Sequence, residues 1–279
     1  MSEAVGLLAF GFAVGFYGTL VGIGGGPLIV PMLAMFYELP PATTVATSLS
    51  VVFLNAFSGS LAYYQQRRID LVSGTLFGCA TVPASIAAYF LLAHVSHQGF
   101  NRLFGAFLLL LTGYVLFGPP PPAVVPGGRG AGGGGAPGRG PLGPLRPRRL
   151  VDAEGHTYLY TVDERLGQLV NVAFGAGTTV LGIGGGILQV PLLVYGLKLP
   201  VHVATATAHY VTAINTAFTL IPLLYYGHVD PRLTLWVGGG VVLGARLGAR
   251  FSRRFSDRTL LKLLTIVFVA AGLRMLTSR

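Results

Sequence analysis

Two short segments carry the residues best suited to chemistry in this chain. Gly22-Ile23-Gly24-Gly25-Gly26-Pro27 and Gly182-Ile183-Gly184-Gly185-Gly186 each place three consecutive glycines inside an apolar block. Neither runs on into the Gly-Lys-Ser/Thr of a nucleotide phosphate loop. A dinucleotide fingerprint needs a strand before it, and here the flanks are apolar blocks of membrane length. At bilayer depth, unwound backbone persists only where it is buried or lines a cavity. A helix starting after such a break points free amides and a partial positive charge at the gap. Two facing breaks would hold a small anion without lysine or arginine. Close helix packing through small residues competes as the explanation of one glycine run. A second copy at a matched position favours a site.

The expected site backbone is therefore Gly24, Gly25, Gly26, Gly184, Gly185 and Gly186. The expected side-chain donors are Thr47, Asn55, Thr207, Asn215 and Gln189, with Ser48 and Ser50 beside them. A lone Thr or Ser in a membrane helix is usually bonded back to its own helix. A buried Asn amide needs partners, which strengthens the case for Asn55 and Asn215. His209 is the one histidine well inside an apolar block. It is either a packing residue or a proton-coupling group. Glu38, Arg246 and Arg250 fall near block ends, so a bound anion is expected to meet neutral groups. Asp70 and Asp230, beside Arg68 and Arg232, read as helix caps or loop anchors. The single cysteine, Cys79, excludes an intrachain disulfide and a cysteine metal cluster. No cofactor and no metal are expected.

The elements that would position these residues are membrane helices. The chain is 52% hydrophobic and 10% charged, where a soluble domain is about 25% charged. Apolar blocks cover 4–36, 42–64, 71–93, 103–118, 167–197, 203–226, 233–249 and 259–277. The first starts without a basic flank, so it reads as a membrane segment rather than a cleaved signal. Residues 119–149 carry Pro119 to Pro122, a glycine run at 132–135 and several arginines, and are read as a linker without a fold. Residues 150–165 are polar and alternate over His156 to Thr161, the pattern of a small hairpin. The net charge of +10 does not point to nucleic acid, because the basic residues lie between apolar blocks.

The two halves match at an offset of 160 without a gap: Gly22 with Gly182, Val30-Pro31 with Val190-Pro191, Leu39-Pro40 with Leu199-Pro200, Ala46-Thr47 with Ala206-Thr207, Asn55 with Asn215, Asp70 with Asp230, and Gly78 with Gly238. Matched glycine triplets, prolines and asparagines mark a duplication. If each broken block is a hairpin, the nineteen basic residues divide fifteen to four, with Arg102, Arg232, Arg274 and Arg279 in the minority. If each broken block crosses once, the division is eleven to eight. Cytoplasmic enrichment of Lys and Arg favours the hairpins, and hence inverted halves. The expectation is an all-α polytopic membrane protein of two inverted repeats. Each has a broken helical hairpin plus three membrane-spanning helices. Residues 1–118 form the first repeat, 119–165 a cytoplasmic Gly/Pro/Arg-rich linker and 166–279 the second repeat. Both termini are expected outside the cytoplasm, in a bacterial inner membrane.

A Gly-Ile-Gly-Gly-Gly-x-x-x-Val-Pro segment opening each half, an Ala-Thr…Asn helix after it, and the run Gly244 to Arg250 resemble the TauE/SafE family of sulfite exporters and related anion permeases. The resemblance spans both membrane halves but not the 119–165 linker. It implies transport of sulfite, an organosulfonate or a related organosulfur or carboxylate anion. The expected function is a secondary transporter, an exporter in that family, embedded in lipid. Its coupling ion would be H+, and its oligomeric state is open. An anion channel of the same build is the alternative. A membrane enzyme is the weaker one, since it would need an acid, base, nucleophile or metal set and only His209 is on offer.

Overall fold

The computed structural model describes residues 2–37, 39–92 and 139–254, with isolated positions between 99 and 113 and between 259 and 273. Glu38, the apolar blocks 103–118 and 259–277 as continuous elements, and residues 119–138 lie outside the described residues.

The described chain is mostly helical: α1 Ser2–Val21, α2 Gly26–Phe36, α3 Pro41–Gln65, α4 Leu71–Leu92, β1 Arg146–Val151, β2 Thr157–Val162, α5 Glu164–Val180, α6 Gly186–Pro191, α7 Val201–Tyr225 and α8 Pro231–Phe251. A π turn, Leu192–Gly196, prolongs α6. Among the described residues, Ser2–Val21, Pro41–Gln65 and Leu71–Ala88 are long and apolar enough to cross a membrane. Local chemistry starts these helices. Pro40 and Pro200 hold the extended residue ahead of α3 and α7. Asp70 accepts from the Ser73 amide at 3.1 Å, and Asp230 from the Leu233 amide at 2.9 Å, so both aspartates cap the helices that follow them.

α3 and α7 lie at the centre and pack on one another. α1 packs along α8 and α4 along α5; α3 packs on α8 and α7 on α4. At the offset of 160, α1 corresponds to α5, α3 to α7 and α4 to α8, so each of these contacts has its mate. The α1–α8 seam is made of small residues. A methyl group on Gly11 would stand 2.1 Å from the Val237 carbonyl oxygen, and one on Gly244 2.1 Å from that of Phe12. With no hydrophobic drive between helices in lipid, such close backbone approach is what holds them. Both broken blocks fold back on themselves. Tyr37 donates to Glu3 Oε1 at 3.3 Å, returning the end of α2 to the start of α1. A methyl group on Gly167 would lie 3.1 Å from Leu197, returning the end of the π turn to the start of α5.

One boundary needs correction. β1 begins at Arg146, four residues inside the stretch read as a linker without a fold, and pairs with β2 from Arg146 opposite Val162 to Val151 opposite Thr157. Proline and arginine content hid it. In a two-stranded ribbon both strands are edges, so Pro147 costs no ladder bond that a neighbour would need. The arginine is used: Arg148 pairs with Glu164 and lies 3.9 Å from Asp70. The ribbon docks on the helix ends, with Tyr160 donating to Asp70 at 3.0 Å and the Ala153 amide to the Gln66 carbonyl at 3.0 Å. The charge partners also differ from sequence neighbours. Arg68 is buried, donates to Gln66 and Ser252 at 3.2 and 3.3 Å, and lies over the Tyr63 ring. Arg232 pairs with Glu3 at 2.8 Å.

Candidate functional site

Each break is a tight left-handed turn. The Gly22 and Ile23 amides both return to the Gly18 carbonyl, at 3.0 and 2.9 Å. Gly22, Gly24 and Gly25 have φ of 88, 75 and 87°, and Gly182, Gly184 and Gly185 of 67, 72 and 106°. Only glycine takes these values without strain. The breaks touch reciprocally. A methyl group on Gly26 would stand 2.5 Å from Ile183 Cα, and one on Gly186 2.7 Å from the Ile23 carbonyl carbon. Gly24 and Gly184 both face Val52 and Thr212, which are themselves a matched pair at the offset of 160.

Two amide nitrogens aim at this junction. Asn55 Nδ2 lies 3.4 Å from where a Gly25 methyl would be, and Asn215 Nδ2 4.0 Å from that of Gly185. Asn55 is 0% and Asn215 2% exposed. Asn55 Nδ2, Thr212 Oγ1 and Gln189 Nε2 are buried without a hydrogen-bond partner. Unpartnered buried donors cost about 1–3 kcal/mol each unless something fills them. α2, eleven residues long, opens at Gly26 and turns the positive end of its dipole to the first break, while the Leu28 and Ile29 amides return to the Gly25 carbonyl. The site thus offers donors and no charge. Among the described residues, the buried Asp, Glu, Lys and Arg side chains are Arg68, Asp70, Asp152 and Asp163, all at helix ends or in the ribbon. Arg246 and Arg250 are exposed on α8. His209 is fully buried, with Nε2 3.2 Å from Thr19 Oγ1 and its ring edge-on to Tyr63 at 5.8 Å.

The remaining candidates are engaged elsewhere. Thr47 accepts from the Asp230 amide and Thr207 from the Asp70 amide, both at 3.0 Å, each tying α3 or α7 to the opposite half. Ser48 donates to the Gly182 carbonyl at 2.8 Å, and Ser50 bonds back to Ala46. Two residues at the junction escaped the sequence reading. Thr212 has Val52 as its mate, so repeat matching passes over it; its position three residues before Asn215 on one helix face was the available signal. Thr19 does match Thr179 across the offset and was legible there.

In the ribbon, Asp152, Glu154 and His156 bring ligand-type atoms within 4.8 Å of one another. Asp152 Oδ1 already accepts from the Glu154 and His156 amides, at 2.9 Å each. Burial opposes ionisation of Asp152, but these bonds and the His156 ring outweigh it and hold its pKa below the usual carboxylate value. Burial, and then the Asp70 charge, pushes the Tyr160 phenol up.

The pattern that defines the sulfite exporter TauE/SafE proteins matches residues 7–275, almost the whole chain. The chain belongs to the TauE/SafE family. A relative in Bacillus subtilis, "Probable membrane transporter protein YunE", is 25% identical over 97% of this chain and 96% of its own. "Probable membrane transporter protein MJ0441" of Methanocaldococcus jannaschii is 31% identical over 37% of this chain and 41% of its own. A "Probable membrane transporter protein" of Haemophilus influenzae is 37% identical over 27% of this chain and 29% of its own. No solved structure matches. The family is one of integral membrane transporters, and the glycine segments lie inside the matched region.

Proposed function

We propose that this protein is a secondary transporter that exports a small anion, bound between the two glycine breaks. Sulfite, an organosulfonate or a related organosulfur or carboxylate anion fits a site of neutral donors. The observation that carries the reading is the reciprocal contact of the breaks, with the Asn55 and Asn215 amide nitrogens aimed into them. Gly24, Gly25, Gly26, Gly184, Gly185, Gly186, Asn55, Asn215, Gln189 and Thr212 make the site. Thr47 and Thr207 act instead as ties between halves.

The halves, 1–118 and 166–279, are inverted repeats in this proposal, joined by the 119–165 linker. Glu3, at the start of α1, is grouped with Arg232 and Tyr37. Glu164, at the start of the matched α5, is grouped with Arg148 and Asp70. Because Asp70 follows α3 while Tyr37 precedes it, the two groups belong to opposite ends of that helix, and α1 and α5 start from opposite sides. The Asp70 end also holds Arg67, Arg68 and Arg165, which supports a cytoplasmic ribbon and an external N-terminus. Matched apolar grooves of about 420 Å³, beside Phe53, Tyr64 and Ile214, and about 840 Å³, beside Leu54, Leu224 and Val229, suit lipid chains on the outer faces.

The deciding experiment is anion flux in proteoliposomes with and without a pH gradient. Saturable flux that a pH gradient drives uphill supports a proton-coupled transporter. Flux that only runs downhill, at rates that do not saturate, supports the channel. Turnover of the anion to another compound would end both readings.

A further inference from the structure

We infer that Thr19 and His209 form a positioning relay that turns the donor face of Asn55 to the anion and ties occupancy of the site to a proton. The inference rests on the reading of the breaks as an anion site. Asn55 Oδ1 accepts a hydrogen bond from Thr19 Oγ1 at 2.8 Å. A carbonyl oxygen only accepts, so the Thr19 hydrogen is committed to it. His209 Nε2 lies 3.2 Å from the same hydroxyl. Thr19 can only accept there, so Nε2 carries the hydrogen. This order leaves Asn55 Nδ2 facing Gly18 and Gly25, 3.1 and 3.4 Å from where their methyl groups would stand, with no partner. An amide nitrogen at that place donates to an anion, and a carbonyl oxygen there would repel it. The second half has no such relay. The mate of His209 is Leu49, and Asn215 Oδ1 has no partner.

With Nε2 protonated, Nδ1 is a buried base without a partner. The ring lies against the Gly22 backbone at the start of the first break. The groups facing it are Thr19 and Gly22 from the α1 side, and Gly59 and Tyr63 of α3, with Arg68 over the Tyr63 ring at 5.6 Å. Tyr63 keeps its hydrogen on the Thr19 carbonyl at 2.7 Å. No carboxylate is in this set. An anion entering a site of low dielectric draws a proton to the nearest base, and His209 is that base. The proton comes from water, resides on Nδ1 while the anion is bound, and returns to water when it leaves. Nε2–H stays on Thr19 throughout, so Asn55 keeps its orientation. By linkage, anion and proton raise each other's affinity by the same factor.

The test uses the full chain in detergent with sulfate, thiosulfate and methanesulfonate as probes, whose charge is constant near neutral pH. Binding is read by calorimetry, and proton uptake by an indicator dye in weak buffer. The wild-type protein should take up about one proton per anion bound. His209→Gln keeps an N–H for Thr19 and should still bind, without proton uptake and with an affinity that no longer changes with pH. Thr19→Val should bind about tenfold more weakly, and Thr19→Ser should restore binding. Asn215→Ala, the control for the site itself, should bind more weakly yet keep proton uptake per bound anion. Proton uptake surviving in His209→Gln, or wild-type affinity in Thr19→Val, overturns the relay and leaves the anion site standing. Failure of wild type to bind any probe overturns both.

Discussion

At the scale of single residues, the breaks separate two demands that glycine meets. At Gly184 a methyl group would lie 2.5 Å from Val52, so both space and φ exclude a side chain. At Gly185 nothing approaches closer than 3.7 Å, so only the φ of 106° does. Gly184→Val should therefore block insertion or folding. Gly185→Ala should fold, with a strain of about 1–3 kcal/mol, and lose anion affinity; thermal unfolding beside probe binding reads both. Asn55→Ala and Asn215→Ala should each weaken binding by roughly 1–2 kcal/mol, the worth of a hydrogen bond to a charged ligand. Unchanged affinity in both, together with loss of binding on neutralising Arg246 or Arg250, would move the site to the rim of the bundle.

Among the elements, the ribbon and the α1–α8 seam carry the clearest expectations. Deleting residues 119–138 should leave flux intact, because this stretch holds no apolar block of membrane length. Deleting 139–162 removes Arg148 and Tyr160 from Asp70 and should impair assembly or gating. Complete loss of flux in a correctly inserted 119–138 deletion would give that stretch a role. The ribbon also has a predictable response to acid. The Asp152 pKa is depressed in the folded state, so its contribution is full above the unfolded value of about 3.9 and fades as pH falls through the folded value. Amide exchange over 146–162, corrected for intrinsic rates, should accelerate below that range in the wild type; Asp152→Asn should be faster at neutral pH and lack the step. On the seam, Gly244→Leu must push against the Phe12 carbonyl. It should cost about 1–3 kcal/mol or more, seen as a lower unfolding temperature or lost insertion.

At the scale of the whole molecule, topology is the sharpest prediction. With Cys79 replaced by Ser, single cysteines at Ser2 and Ala153 should react with a membrane-impermeant thiol reagent from opposite sides of intact cells. Labelling of both from one side would reject the inverted arrangement. Much of this architecture was legible in residue order, because membrane helices announce themselves by length and apolarity, and a duplication by glycine, proline and asparagine in register. The breaks were legible because a glycine triplet recurs at matched positions in both halves; one triplet alone does not mark a break, since Gly238-Gly239-Gly240 stays helical inside α8 and packs closely on Leu8 and Leu54. Asn55, Asn215 and His209 stood out as polar groups inside apolar blocks. Other features depended on contacts between distant segments, which spacing along one chain does not encode. Only folding set Thr47 and Thr207 on the opposite half's helix ends, and made Arg148 rather than Arg68 the neighbour of Asp70. Only folding joined Thr19, on α1, to Asn55 and His209, on two other helices. A buried hydroxyl takes its direction from the acceptor that packing brings to it, and that acceptor is 36 residues away.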